Sequence, residues 1–189
     1  MSGVIYYDFT SAEALVLHEL VVSTPEAQDW SWRGVQVDST AAVPMASFDR
    51  RARERVEAEV ADALRARPDG QIAVPSGHPN TCAALQAVAA VDRVHPVRGQ
   101  AFRGGLFHAY WRESRDLSDC AVIREVAAAA GVPPWVDLEQ QATQATQVGW
   151  ELEWKAERLG GVPRLIRSDG QILWRVVDAE ATREFLRGR

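Results

Sequence analysis

The order of the predicted secondary-structure elements constrains this chain of 189 residues more than any single motif does. A β-branched and aromatic run at residues 3–9 predicts a first strand, and apolar residues recur at helical spacing over residues 14–21. Near the other end, residues 165–167 and 172–174 predict a hairpin, with Asp169-Gly170 supplying the positive φ angles of its turn. Strands are therefore expected at both ends of the chain.

The middle of the chain is predicted to be helical. An alternating pattern at Trp30–Val37 first predicts a second strand. A predicted helix at Arg51–Arg67 follows this strand. The helical block then has predicted helices from Asn80 or Thr81 to about Asp92 and at Phe102–Trp111, Val122–Ala130 and Leu138–Leu159, and a closing helix at Asp178–Leu186 follows the hairpin. A hairpin that follows a helical block can return to pair beside the first strand, so all strands are expected in one sheet. The prediction is one α/β domain with a helical insertion.

Charge and composition argue against several classes of function. The net charge is -5, Lys155 is the only lysine, and acidic residues are interspersed among the arginines. A nucleic-acid surface needs clustered basic residues, so nucleic acid is not an expected partner. No apolar run approaches the roughly 20 residues that span a bilayer. The first strand begins where an export leader would lie, so the protein is expected to be cytoplasmic and not bound to a membrane.

The two cysteines, Cys82 and Cys120, lie far apart in the sequence. In a reducing compartment such residues are expected to be buried small hydrophobic residues and not a disulfide. Two cysteines with no nearby histidine pairing make no zinc signature, and no metal site is predicted.

Two segments near opposite ends carry a resemblance to a known family. The first is Tyr6-Tyr7-Asp8-Phe9-Thr10-Ser11-Ala12-Glu13-Ala14, and the second is Gly161-Val162-Pro163. With the aromatic helix at 102–111 and the acidic helix start at 116–119, they resemble the DsbA family. Within it, the chain is most similar to FrnE-like proteins, 2-hydroxychromene-2-carboxylate isomerases and kappa-class glutathione transferases. The resemblance implies a thioredoxin-like fold with a core of residues 1–74 and 143–189 and an inserted helical domain of residues 75–142.

The predicted helix start departs from the redox members of that family. Where they carry Cys-x-x-Cys, this chain has Ser11-Ala12-Glu13-Ala14, and because serine cannot form a disulfide, dithiol exchange is not expected. The resemblance to the isomerase and kappa-class branch implies that Ser11 hydrogen-bonds the sulfur of glutathione at the positive end of the helix. Glu13 is expected to compete with this thiolate for the same positive end.

A purely structural role for the same residues is the alternative. Thr10 and Glu13 match a capping box, in which Thr10 accepts from the backbone of residue 13 and Glu13 reaches back to Thr10. Ser11 is equally suited to be a simple N-cap. Capping and ligand binding are compatible, because both use the exposed N–H groups of the first helical turn.

Val162-Pro163 forms the second half of the predicted site. The resemblance implies a cis peptide bond there, with Val162 offering its N–H and C=O to the extended backbone of a ligand. An ordinary trans-proline at the start of an edge strand is the alternative. Because the strand that opens at Pro163 should lie next to the first strand, Ser11 and Val162-Pro163 are expected to meet at one edge of the sheet.

Three functions are compatible with this sequence. The first is a DsbA-like protein without redox cysteines that binds a small thiol or an extended peptide between Ser11 and Pro163. The second is an enzyme of the kappa-class or isomerase type, in which Ser11 is catalytic and orients a glutathione thiolate. The third is a non-catalytic scaffold or homodimer. No cofactor is required, and the resemblance suggests glutathione or another low-molecular-weight thiol as the ligand.

Overall fold

Strands from both ends of the chain meet in one sheet, in a computed structural model that describes residues 2–27, 29–139 and 141–188. The strands are β1 (Gly3–Tyr7), β2 (Ser31–Gly34), β3 (Ala46–Ser47), β4 (Gly77–His78), β5 (Arg164–Arg167) and β6 (Ile172–Leu173). The helices are α1 (Ala12–Val22), α2 (Arg50–Ala66), α3 (Cys82–Val94), α4 (Pro96–Trp111), α5 (Cys120–Ala129), α6 (Gln141–Ala156) and α7 (Ala179–Arg187), with a short 3-10 helix at Pro25–Ala27.

The main sheet has the strand order β2-β1-β5-β6. β1 is parallel to β2, and it is antiparallel to β5, with Tyr6 opposite Arg164. The chain therefore leaves β1 toward α1 at the same edge at which it enters β5 after Pro163. This pairing brings the two halves of the predicted site together, although they are separated by about 150 residues of sequence.

Helix α1 is the centre of the core. Every residue from Ala12 to His18 is buried, and the helix packs against α2, α4 and α7. A helix that is apolar on nearly all sides is stable only when other elements surround it. Helix α2 is different, because its outer face carries ion pairs such as Arg53 Nε to Glu57 Oε1 at 2.9 Å.

The helical block lies between β4 and β5, as predicted. α3 packs against α4 and α6, and α5 packs against α4. The last helix of the block starts at Gln141 and not at Leu138, and residue 140 lies outside the described residues. The predicted domain boundaries at 74/75 and 142/143 stay a prediction. No helix in the described ranges combines the length and apolarity needed to cross a bilayer.

Two backbone predictions are corrected. The strand predicted at Trp30–Val37 is only Ser31–Gly34, because the ladder to β1 ends with the bond from Val35 N–H to the Tyr7 carbonyl, and Val37 N–H bonds to the Asp8 carboxylate instead. In the hairpin turn only Gly170 has a positive φ, of 86°, and Asp169 does not. Residues 168–171 connect β5 to β6, and the bond from Arg167 N–H to the Gln171 carbonyl closes a loop of three residues, a length at which a single glycine in the left-handed region follows an ordinary turn.

The two cysteines are free, and Cys120 is exposed, so the prediction that both are buried is wrong for Cys120. It is the first residue of α5, next to the N-cap Asp119, a position on the surface of the helical block. The small β3–β4 sheet was not predicted either. Its strands have two residues each, too few to show an alternating pattern.

Candidate functional site

Ser11 is the N-cap of α1. Its backbone is extended, and its Oγ accepts a hydrogen bond from the Ala14 N–H at 3.3 Å. This is the simple cap of the two capping alternatives. The capping box is wrong, because Glu13 bonds to Arg175 and Val176 and not to Thr10.

The Ser11 hydroxyl also joins the two halves of the site. It donates to the Val162 carbonyl oxygen at 3.2 Å, and the Val162–Pro163 peptide bond that follows is cis. The hydroxyl has one proton to donate, and both the Val162 carbonyl and the Glu59 carboxylate lie within its reach. A ligand sulfur therefore receives a hydrogen bond from Ser11 only after the hydroxyl turns away from Val162. The Val162 N–H has no hydrogen-bond partner within the described residues.

The carboxylate of Glu59, from α2, lies at the start of α1. Its Oε1 accepts from the Ala12 N–H, the first amide of the helix, at 2.8 Å. Burial raises the pKa of Glu59, the hydrogen bond from Ala12 opposes that increase, and the charge of Glu13 adds to it. A hydrogen bond from the Ser11 side chain also lowers this pKa. The negative charge that a cysteine thiolate would supply at this helix end is thus supplied by α2.

Glu13 is buried and holds the segment after β6 in place. Its Oε1 accepts from Arg175 Nε at 3.1 Å and Nη2 at 2.7 Å, and its Oε2 accepts from the Val176 N–H at 3.3 Å. Glu13 lies in the first turn of α1 and lines the cavity, but the first amide of the helix is bonded by Glu59 and not by Glu13. The expected competition of Glu13 with a thiolate stays a prediction.

Asp8 fixes the backbone that leads into the site. It is buried at the end of β1, where its carboxylate accepts from Thr10 N–H at 3.1 Å and Val37 N–H at 2.8 Å. Burial raises its pKa, and the two backbone hydrogen bonds oppose the increase. Asp8 thereby ties the turn before Ser11 to the loop after β2.

A cavity of about 760 Å³ opens above these residues. Ser11, Glu59 and Val162 line it, together with the loop from Val37 to Asp49 and the adjacent face of α2. Apolar walls such as Phe48 and Val56 alternate with charged groups, and its volume lies in the range of small-molecule sites. Arg55, an exposed residue of the lining, has no ion-pair partner in the described part of the chain.

Several solved structures share this architecture, although no protein-family model and no curated protein matches the sequence. The cytosolic disulfide reductase DsbM from Pseudomonas aeruginosa with GSH superposes with a TM-score of 0.77, at 13% identity, over 100% of this chain and 98% of that chain. A probable DsbA oxidoreductase from Streptomyces coelicolor gives 0.76, at 14% identity, over 98% and 88%. A 2-hydroxychromene-2-carboxylate isomerase gives 0.64, at 15% identity, over 93% and 89%.

This chain has a DsbA-like thioredoxin fold. The predicted fold class, α/β with a helical insertion, is confirmed. In this DsbA-like fold the segment Ser11-Ala12-Glu13-Ala14 occupies the start of α1, and Val162-Pro163 lies beside it.

Sequence reasoning missed Glu59, whose carboxylate bonds the first amide of α1. A signal was present, because Ala52, Val56 and Ala63 form part of the apolar stripe of α2, and Glu59 falls on the same stripe. A carboxylate among apolar positions of a helix indicates a buried partner. The identity of that partner, an amide of α1, depends on tertiary packing and not on spacing.

Proposed function

We propose that the protein binds a low-molecular-weight thiol of the glutathione type, or an extended peptide, in the cavity between Ser11 and Val162. The observation that carries this proposal is that Ser11, Glu59 and Val162 line one cavity: Glu59 covers the Ala12 N–H there, and the Val162 N–H has no hydrogen-bond partner among the described residues. The DsbM structure with GSH, which has the same fold, supports a thiol as the ligand.

Each group has a distinct task in this proposal. The Val162 N–H donates to a backbone carbonyl of the ligand, as an edge amide does for an added strand. The Arg55 guanidinium pairs with a ligand carboxylate. The Ala12 N–H, at the positive end of α1, receives the sulfur.

Dithiol exchange is not part of the proposal. Cys82 is half-buried at the start of α3, where burial raises its pKa and Gln86 Nε2 contacts its sulfur at 3.1 Å. Cys120 is exposed at the start of α5. Within the described residues, neither cysteine lines the cavity. We expect no reduction of insulin above background, and turnover that needs Cys82 would contradict this.

Thermal denaturation with added ligand tests the binding proposal. A ligand of the folded state stabilises by about 2.7 kcal/mol at 100 times its Kd. We therefore expect the Tm to rise with glutathione or S-methylglutathione concentration. Arg55→Gln should reduce the rise, whereas Arg53→Gln, on the outer face of the same helix, should not. A Tm independent of both compounds and of short peptides would refute the proposal.

A second candidate is an isomerase or transferase that uses bound glutathione. The shared fold of the 2-hydroxychromene-2-carboxylate isomerase, together with Ser11 at the start of α1, favours it. Turnover of that isomerase's substrate with added glutathione, lost in Ser11→Ala, would support this candidate over a binding protein. A cytoplasmic location is proposed on the likeness to the cytosolic DsbM. The scaffold and homodimer alternatives stay predictions.

A further inference from the structure

We propose that Glu59 accepts the proton of the ligand thiol when the thiol enters the cavity. The S–H bond breaks, the proton binds the Glu59 carboxylate, and the thiolate replaces that carboxylate on the Ala12 N–H. No oxidant or reductant takes part. This inference rests on the proposed binding of a thiol between Ser11 and Val162.

The geometry places donor and acceptor on the same amide. Glu59 Oε1 lies 2.8 Å from the Ala12 nitrogen, and Glu59 lines the cavity. Ala12 is the first residue of α1, so its N–H lies at the positive end of a helix of 11 residues. A sulfur that reaches this N–H must displace the carboxylate and lie beside it. The displaced carboxylate is then the nearest base to the thiol.

Displacement makes Glu59 a stronger base. In the ligand-free protein, the hydrogen bond from Ala12 lowers the pKa of Glu59 against the larger increase caused by burial. Once a thiolate takes this N–H, that stabilisation is lost and a second negative charge lies next to the carboxylate. Both changes favour the protonated carboxyl group.

The groups around Glu59 allow this transfer. Glu13 on α1 raises its pKa, and Arg175, in the segment after β6, lowers it. Tyr110 on α4 is a further neighbour, and its own pKa is raised by burial and then by the charge of Glu59. Ordinary thiol and carboxyl pKa values differ by about 4 units, and a helix N-terminus lowers thiol pKa values to about 3.5–7.5. The upward shift of the Glu59 pKa narrows the remaining gap.

Calorimetric titration with glutathione tests the proposal. The binding enthalpy is measured near neutral pH in buffers of different ionisation enthalpy, which gives the number of protons exchanged with solvent. The absorption of the thiolate is recorded on the same samples. S-Methylglutathione, which has no thiol proton, corrects for protons exchanged by other groups. Glu59→Gln removes the acceptor, and Glu57→Gln, an exposed residue of α2 that pairs with Arg53, is the matched control.

The wild type and Glu57→Gln should form thiolate on binding and release close to no proton. Glu59→Gln should form thiolate and release about one proton, because a free thiol is mostly protonated near neutral pH. Thiolate formation with about one proton released by the wild type would overturn the inference but leave the binding proposal intact. Binding without thiolate would overturn it too. Absence of binding by both compounds would refute the binding of a glutathione-type thiol, on which the inference rests.

Discussion

A cysteine placed at position 11 would measure the electrostatic effect of Glu59 without any ligand. The starting protein carries serine at 82 and 120, the two native cysteines, and Ser11→Cys then places a thiol at the start of α1. A helix N-terminus lowers a thiol pKa from about 8.5 to as little as about 3.5–7.5. Here Glu59 already holds the Ala12 N–H at 2.8 Å, so the thiolate would form beside a carboxylate.

The expected size of the thiol pKa shift follows from the Ala12 N–H, which the thiolate and Glu59 would share. Two like charges within reach of one N–H lie about 4–6 Å apart, a separation that shifts a pKa by about 1–3 units. Glu59 is half-buried, so solvent screening places the expected shift at about 1–2 units. We expect the Ser11→Cys thiol to titrate about 1–2 units higher than the same thiol in a protein that also carries Glu59→Gln.

The assay is the rate of alkylation by iodoacetamide as a function of pH, because only the thiolate reacts. Ser11→Cys with Glu57→Gln is the control, since that variant removes one negative charge from the outer face of α2. Equal thiol pKa values with and without Glu59 would refute the assignment of Glu59 to the helix end. If Glu57→Gln changed the thiol pKa as much as Glu59→Gln does, the effect would come from the net charge of the protein and not from the position of Glu59.

Three further predictions concern the same residues. Glu13→Ala leaves the buried Val176 N–H without its acceptor and breaks the contact with the more exposed Arg175, so unfolding in urea should become easier by about 2–4 kcal/mol; an unchanged midpoint would contradict this. Glu59 has a folded-state pKa above its ordinary value of 4.5, so its contribution to stability is full below that value and is lost as pH rises through the folded pKa. As the pH rises from acidic to neutral, the free energy of unfolding of Glu59→Gln should therefore increase relative to that of the wild type. A variant whose relative stability is higher at acidic pH than at neutral pH would contradict the upward shift of the Glu59 pKa. Ser11→Ala should weaken glutathione binding by less than the about 1.5–3 kcal/mol of a hydrogen bond to a charged group, because the hydroxyl gives up its contact with Val162 when it turns to the sulfur; calorimetry measures this, and equal affinity would mean that Ser11 does not bond the sulfur.

Local sequence signals predicted the elements around the site. The start of α1 followed from a polar cluster before an apolar run, and the hairpin of β5 and β6 followed from Asp169-Gly170 between β-branched and other apolar residues. The neighbouring positions of Ser11 and Val162 followed from topology, because the strands that carry them pair in one sheet.

Local sequence signals did not predict which groups the charged side chains of the site bond to. Glu13 bonds to Arg175 and Val176, which lie more than 160 residues away in sequence, and Glu59 bonds to an amide 47 residues before it. No spacing rule relates such positions, since the contacts exist only after α1, α2 and the last strand have packed. The sequence therefore predicted the charge of Glu13 near the helix end but not that of Glu59, which bonds the first amide.

Glu59, and not Glu13, bonds the first amide of α1, and this changes how a helix start without cysteines is understood. A negative group at a helix N-terminus stabilises it by about 0.3–1 kcal/mol, and by about 2 kcal/mol when it is partly buried. In this chain Glu59 supplies that group from α2, while Ser11 caps the helix and holds Val162. A bound thiolate and the Glu59 carboxylate are then alternatives for one amide. Because Glu59 belongs to α2, which also forms a wall of the cavity, an anion at the start of α1 should loosen the contact between the two helices.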